Sequence, residues 1–309
     1  MATIFWKELA DHLGSKRFFI LTLIILVVAG TSVYLGIQGF RENPGGVGPF
    51  VYLMLFTSSQ GGLPSFLSFL AFFGPLLAVL LGFDAVNSEF ARGTVSRILS
   101  QPIYRDSWIN GKFLAGLATL AVMVVSIALL VFGLGLFSLG FPPEGEEFAR
   151  LLLFVVVAIV YLGFWLALGI LYSIIFRQTA TSALAAVATW LFFTLFLYMI
   201  AGVIADQVAP VRSDSPAEQW IRNENIRDFV LRFSPVALFE EATLPILVPT
   251  YRGLSILVLL TQPGIPTSPL PLGQSLLVGW PQLVGLLALT SVCFAAAYLL
   301  FMRREIRIS

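Results

Sequence analysis

EFARGTVSRILSQPIYRDSWINGK, residues 89 to 112, is a polar seam in a chain that is otherwise strongly apolar. Seven charged residues fall between Asp84 and Lys112 (Asp84, Glu89, Arg92, Arg97, Arg105, Asp106, Lys112), whereas about twenty residues on either side carry none. Two uncharged runs of that length, joined by so short a polar link, read as two membrane crossings turned back to back. The whole chain agrees with this reading. Its 309 residues are 58% apolar and 11% charged, with a mean hydropathy of +0.92, against about 25% charged in a soluble domain.

Apolar windows fall near 18–37, 64–83, 113–140, 151–175, 183–204 and 280–302. Each is long enough as a helix to cross a hydrocarbon core about 30 Å thick. The expected fold is therefore an all-α membrane protein with six transmembrane helices, forming a single transmembrane domain over 1–309. The first window lacks a small-residue cleavage site at its end and is read as a retained anchor. Two shorter runs, Phe50–Phe56 and Leu254–Leu260, cannot cross and are expected to lie at the interface or against the bundle.

Basic residues set the orientation. Eleven lie in the N-terminal segment, the 84–112 loop, the turn at Arg177 and the C-terminal tail, while the short opposite loops hold only Arg41 and Arg150. The positive-inside rule places both termini in the cytoplasm. The segment 1–17, with Phe5, Leu9 and Leu13 at helical spacing and Lys7, Glu8 and Asp11 turned elsewhere, predicts a cytoplasmic amphipathic helix. The long loop 205–279 is then external. Within it, Ser215, Pro216 and Glu218 suggest a capped start for a helix over 216–232 with an Ile226, Phe229, Val230, Phe233 stripe. Pro263, Pro266, Pro269 and Pro271 force an extended return.

Several chemistries are excluded or disfavoured. The cores of the six windows hold no ionisable residue, which argues against an ion-coupled mechanism. Gly111-Lys112 is not a phosphate loop, because Asp106 and Phe113 stand where a glycine and a Ser or Thr are needed. Ser126, Thr189 and Thr194 have no partner that would make a hydrolase dyad. A lone His12 and a lone Cys293 make a His/Cys metal site an unpromising reading, and nothing suggests nucleic-acid binding.

The seam itself predicts a helix over 86–101, with Val86, Phe90, Val95, Ile98 and Leu99 broadly on one side, stopped by Pro102. Asp106 is then placed to cap the next helix. Arginines alone would set topology, but an apolar stripe on a capped element suits the docking of a cytoplasmic partner.

This pattern resembles the permease subunits of type-2 ABC exporters, in particular the NosY-like branch associated with copper-enzyme maturation. The matching residues are Glu89, Gly93, Thr94, Leu99, Ser100, Pro102, Arg105, Gly111 and Lys112, and FSPVALFEEA (233–242) is similar to that family's stretch before its last span. The resemblance implies a non-catalytic half-transporter in the plasma membrane of a prokaryote. A second permease, as a homodimer, would pair with it, and two cytoplasmic ATPase subunits would bind the ATP and magnesium; this chain would bind no cofactor. Glu89, Gly93, Thr94, Val95, Ile98, Leu99, Pro102 and Arg105 would then form the ATPase-coupling segment. Phe69 and Phe73 in the second span, with Trp190 and Phe193 in the fifth, are candidates for an apolar substrate pathway. The competing readings are a non-transporting membrane anchor or signalling partner of an ATPase, and a membrane enzyme.

Overall fold

The computed structural model describes residues 1–42, 50–59, 64–94, 104–212, 215–251 and 268–304. Among these residues every regular element is helical. A short helix α1 (Ala2–Leu13) precedes the first span α2 (Lys16–Glu42). A helix of about two turns, α3 (Val51–Thr57), leads to α4 (Phe66–Gly82), which is followed by the short α5 (Asn87–Ala91). The long spans α6 (Arg105–Leu139) and α7 (Gly145–Ile175) come next. The fifth span is broken into α8 (Thr179–Leu191), a π-helical turn (Phe192–Phe196) and α9 (Leu197–Val208). Then follow α10 (Ala217–Leu231), α11 (Pro235–Leu247) and the last span α12 (Leu272–Arg303). Among the described residues six helices are long and apolar enough to cross a membrane, as the windows predict. The end of the bundle that carries α1 and the end of α12 is called the terminal face, and the other the distal face.

The core lies around α7 and α4, the two spans with the largest buried share. They cross at glycine. A Cβ on Gly82 would stand 2.8 Å from the Leu166 carbonyl oxygen, and one on Gly169 would stand 3.2 Å from the Gly82 Cα. Lipid offers no hydrophobic drive for helix association, so close backbone approach through small residues supplies van der Waals contact instead. In the middle of α4, Pro75 has no N–H to give to the carbonyl of Ala71. The Tyr161 hydroxyl donates to that oxygen at 2.6 Å, and the Trp190 indole N–H donates to the neighbouring Phe72 carbonyl at 2.9 Å. Partners from α7 and α8 thus satisfy the backbone around the proline, as a membrane interior requires.

Two short helices are inserted into the distal half. α3 buries Tyr52, Leu53, Leu55 and Phe56 between α2, α6 and α7. Its ends are tied down by side chains: the Glu147 carboxylate accepts from the Tyr52 N–H at 2.8 Å, and Ser32 donates to the Leu55 carbonyl at 2.9 Å. The run Phe50–Phe56 therefore packs within the bundle, the second of the two options open to it.

α11 is the larger surprise. The sequence reading puts it in an external loop, yet ten of its thirteen residues are buried against α7, α12 and α4. Ser234 caps its start, accepting from the Val236 and Ala237 N–H groups, and the Phe239 ring stacks on Tyr161 at 4.2 Å. Its last carbonyls are met by Arg150, which is fully buried. One guanidinium nitrogen donates to Pro245 O at 3.3 Å, Ile246 O at 3.0 Å and Ser275 Oγ at 3.1 Å; the other donates to Glu146 Oε1 at 2.7 Å and to the Leu270 carbonyl.

α10 also departs from expectation. Pro216 is its N-cap and no side chain caps it; Ser215 instead accepts from the Arg212 N–H at 2.9 Å. Phe229 and Phe233 are exposed, so the expected stripe is split; Val230 packs beside the buried Leu231 on Ala201 and Ala237. The runs 252–267 and 305–309, which include Leu254–Leu260, Pro263 and Pro266, lie outside the described residues.

Candidate coupling site on the terminal face

The polar seam begins where α4 ends. A turn over 83–86 leads into α5, whose first N–H groups have no helical acceptor. Ser173, near the end of α7, supplies one: its hydroxyl accepts from Val86 N at 2.9 Å and Asn87 N at 3.1 Å. The Asn87 side chain is buried and donates to the carbonyls of Phe83 and Phe176 at 3.2 and 3.5 Å.

A single helix over 86–101 does not form. α5 stops at Ala91, and Gly93 adopts φ 67°. That left-handed conformation crowds any Cβ and is routine only for glycine, which explains both the residue and the break. Val95, Ile98, Leu99 and Pro102 lie outside the described residues. On the far side of the seam α6 begins at Arg105 with Tyr104 as N-cap, so Asp106 sits inside the first turn and is not its cap.

The charged residues converge on Lys112. Its ammonium nitrogen lies 2.6 Å from Glu89 Oε1 and 3.0 Å from Glu8 Oε1, and 4.8 Å from the centre of the Trp108 ring. The lysine side chain is 3% exposed. A buried ammonium is costly unless paired, and this one has two carboxylates from two different elements. Trp108 in turn stacks on Phe301 of α12 at 4.9 Å. Arg304, just past α12, donates to the Ile174 carbonyl at 2.8 Å and covers the Phe90 ring at 4.4 Å, while Arg105 donates to the Arg304 carbonyl at 3.3 Å. The base of the seam is thereby held by α1, α6, α7 and α12.

Of the residues singled out by sequence, Glu89, Gly93, Thr94 and Arg105 stand at this base, with the Thr94 hydroxyl donating to the Glu89 carbonyl at 3.1 Å. The aromatic candidates are placed elsewhere, along the α4–α8 contact. Phe69 stacks near Phe73 (4.6 Å), Phe73 meets Phe72 (4.8 Å), and Phe72 meets Trp190 (5.0 Å). Phe193 sits against Trp165 at 6.3 Å. Phe69 and Trp190 are buried and Phe73 is exposed; these rings and Phe72 form a packed relay, from which Phe193 stands apart on Trp165.

Glu8 is the residue that sequence reasoning placed wrongly. The expected apolar face of α1 was Phe5, Leu9 and Leu13, with Glu8 turned away; the buried pair is Ile4 and Glu8, and Leu13 is exposed. Ile4 seats on Gly111, where a Cβ would come within 3.2 Å of its own. Glu8 sits one turn from Ile4, and its ion pair with Lys112 lets a carboxylate share the inner side with Ile4. Burial alone would raise the Glu8 carboxyl, but the ammonium of Lys112, and then Lys7, outweigh it and hold the group below its ordinary value of 4.5. Burial pushes the nearby His12 below its ordinary 6.5, partly opposed by Glu8.

Both shifts have the same consequence. A base depressed on docking and a carboxyl depressed on docking each favour docked α1 at high pH and lose that contribution as pH falls. Acidification from pH 7.5 should therefore loosen α1 in two stages, the first beginning below about 6.5 through His12 and the second below about 4.5 through Glu8. The thiol labelling rate of Ile4→Cys in a Cys293→Ser background, divided at each pH from 8 to about 3 by that of the exposed Tyr104→Cys to cancel the loss of thiolate, should rise over those two ranges; a ratio without a step in either range contradicts the assignment.

An apolar six-span bundle with a cluster of ion pairs at the base of the seam, on the face that carries its ends, defines a polytopic membrane protein. The sequence matches the family described as ABC-2 family transporter protein over residues 2–306. The chain belongs to that family, as a membrane-spanning permease of the ABC transporter type. It is similar to two curated proteins, each described as a probable ABC transporter permease protein NosY. The one from Stutzerimonas stutzeri is 26% identical over 198 residues, covering 63% of this chain and 66% of that protein. The one from Pseudomonas aeruginosa is 30% identical over 216 residues, covering 66% of this chain and 71% of that protein. The chain thus spans about two thirds of the length of these relatives.

Proposed function

We propose that this chain is the permease half of an ATP-driven exporter in a prokaryotic plasma membrane, with both termini in the cytoplasm. Two copies pair, and separate ATPase subunits, which bind ATP and magnesium, dock on the terminal face through the segment 86–101. The observation that supports this reading is the anchoring of α5: its start is bonded to α7 and its Glu89 is ion-paired to α6, so a push on the segment reaches the spans directly. Phe73, the exposed ring of the aromatic relay, is the candidate to face a pathway between the two copies.

Docking is tested on the apolar stripe. A few buried anchors can carry most of an interface, each costing about 2 kcal/mol or more when lost, or roughly thirtyfold in affinity. Ile98→Asp or Leu99→Asp should cut capture of the ATPase by at least that factor, with normal membrane insertion, while Arg92→Ala changes capture little. Full capture by both Asp variants overturns the assignment. Capture without ATP-dependent substrate movement in vesicles would make the chain an anchor and not a transporter.

Orientation has its own test. Tyr104 on the terminal face and Arg222 on α10 are exposed. In intact cells, with Cys293→Ser, an impermeant thiol reagent should label Arg222→Cys and spare Tyr104→Cys. The opposite labelling inverts the topology.

A further inference from the structure

The ion pairs of Lys112 point to a part for α1 that its place at the membrane edge does not suggest. α1 could be held to the bundle by apolar packing alone, and Ile4 on Gly111 does some of that. Its second buried residue is a carboxylate. Glu8 Oε1 lies 3.0 Å from the same ammonium that Glu89 Oε1 reaches at 2.6 Å. Lys112 stands on α6, Glu89 on the seam and Glu8 on α1, so one nearly inaccessible cation joins three elements that are remote in sequence.

The lysine cannot follow one carboxylate away from the other without exposing a buried charge to an apolar surround. The three elements are in this respect one body. α1 is also continuous with the first span: Ser15, in the turn between them, donates to the His12 carbonyl at 2.8 Å and accepts from the Phe18 N–H at 3.1 Å. A displacement of Glu89 therefore has a route to α2, through Lys112 and α1, that does not run along α4.

We infer that Glu8 is a positioning residue for energy coupling, which makes α1 a second lever driven by the segment that meets the ATPase and carries its movement into the first span. The inference rests on the docking reading above. In that reading α4 and α6 are moved from their ends; the charge link adds α2, the span with much of its surface exposed on the flank of the bundle.

The test uses nitroxide pairs in the permease–ATPase complex in nanodiscs, in a Cys293→Ser background, with and without MgATP and vanadate. Trp6 on α1, Tyr104 at the seam and Phe148 near the distal end of α7 are all well exposed and suitable for labelling. Trapping should shift both the Trp6–Phe148 and Tyr104–Phe148 distances by about 2 Å or more, the size of a helix shift. Glu8→Gln should abolish the Trp6 shift and leave that of Tyr104. Ile4→Ala, which weakens packing but keeps the charges, should preserve both.

A wild-type complex in which Tyr104 moves and Trp6 does not overturns the inference, as does a Trp6 shift that survives Glu8→Gln. Loss of the Trp6 shift in both variants reduces the link to ordinary packing and equally overturns it. If neither pair responds in the wild type, the docking reading itself fails and takes this inference with it.

Discussion

Arg150→Met is expected to destabilise the protein by about 3–5 kcal/mol, the usual cost of breaking a buried charged network. The guanidinium is fully buried and donates to the carbonyls of Pro245, Ile246 and Leu270, to Ser275 and to Glu146. Methionine fills most of the volume and satisfies none of those acceptors, each of which costs about 1–3 kcal/mol when buried without a partner. Thermal unfolding in detergent should fall by about 10 °C. Arg150→Lys keeps the charge but not the planar fork, and should recover part of the loss. Glu146→Gln, at a 41% exposed partner, should cost less than about 1 kcal/mol. An Arg150→Met protein that melts with the wild type would show that α11 is held in place by its apolar contacts alone.

The second large effect is expected at the α4–α7 crossing. Gly82→Val introduces a branched Cβ whose nearest neighbours are the backbone oxygen of Leu166 at 2.8 Å and the backbone nitrogen of Ile170 at 3.0 Å. Neither is the tip of a flexible side chain, so the two spans must separate. Overpacking costs about 1–3 kcal/mol in a core that can adjust, and more where it cannot; at least about 3 kcal/mol is expected here, with loss of monodisperse protein after extraction. Gly133→Ala is the control. A Cβ at Gly133, also inside a span, meets nothing within 4 Å, and the change should be neutral or mildly stabilising. Equal outcomes for the two glycines would refute the close-crossing argument.

The spans were legible because their signal is composition over length, which tertiary context cannot easily override. Helix ends were less so. Asp106 and Ser215 both look like caps, yet neither caps its helix, because cap choice is settled by where the preceding chain enters. α11 was read as part of a loop because thirteen residues are too few to cross, and its carboxylates Glu240 and Glu241 suggest solvent. In the fold those two acids find Tyr198 and Gln282 at 3.1 and 2.9 Å, so the remaining apolar surface can be buried. Arg150 illustrates the limit of charge counting: it votes as a loop residue in the sequence and is an internal clamp in the fold.

The candidate site divides along the same line. Glu89, Gly93, Arg105 and Lys112 could be singled out because they sit in one polar stretch between apolar ones. Glu8 and Arg304 could not, because nothing in their own neighbourhoods announces a partner about a hundred or more residues away. A carboxylate on the same side of a short helix as Ile4 was the available hint, and it reads equally well as a solvated flank.

The π turn at Phe192–Phe196 has a consequence for which partners the fifth span can serve. Its buried positions, Ser182, Ala186 and Trp190 before the turn and Leu197, Ala201 and Ala205 after it, keep a spacing that would put them on one stripe of an unbroken helix. The turn holds about one residue more than α-helical winding would, which rotates everything beyond it by about 100°. One continuous stripe is thus addressed to two different neighbours: α4 and α7 below the turn, α10 above it. Removing a single residue from 192–196 would close the wide turn into α-helical winding and leave Ala201 and Ala205 facing Leu231, because the turn already absorbs that residue. Winding the same residues as an unbroken α-helix would instead swing Ala201 and Ala205 away from Leu231 and unseat α10 without touching any residue that contacts it.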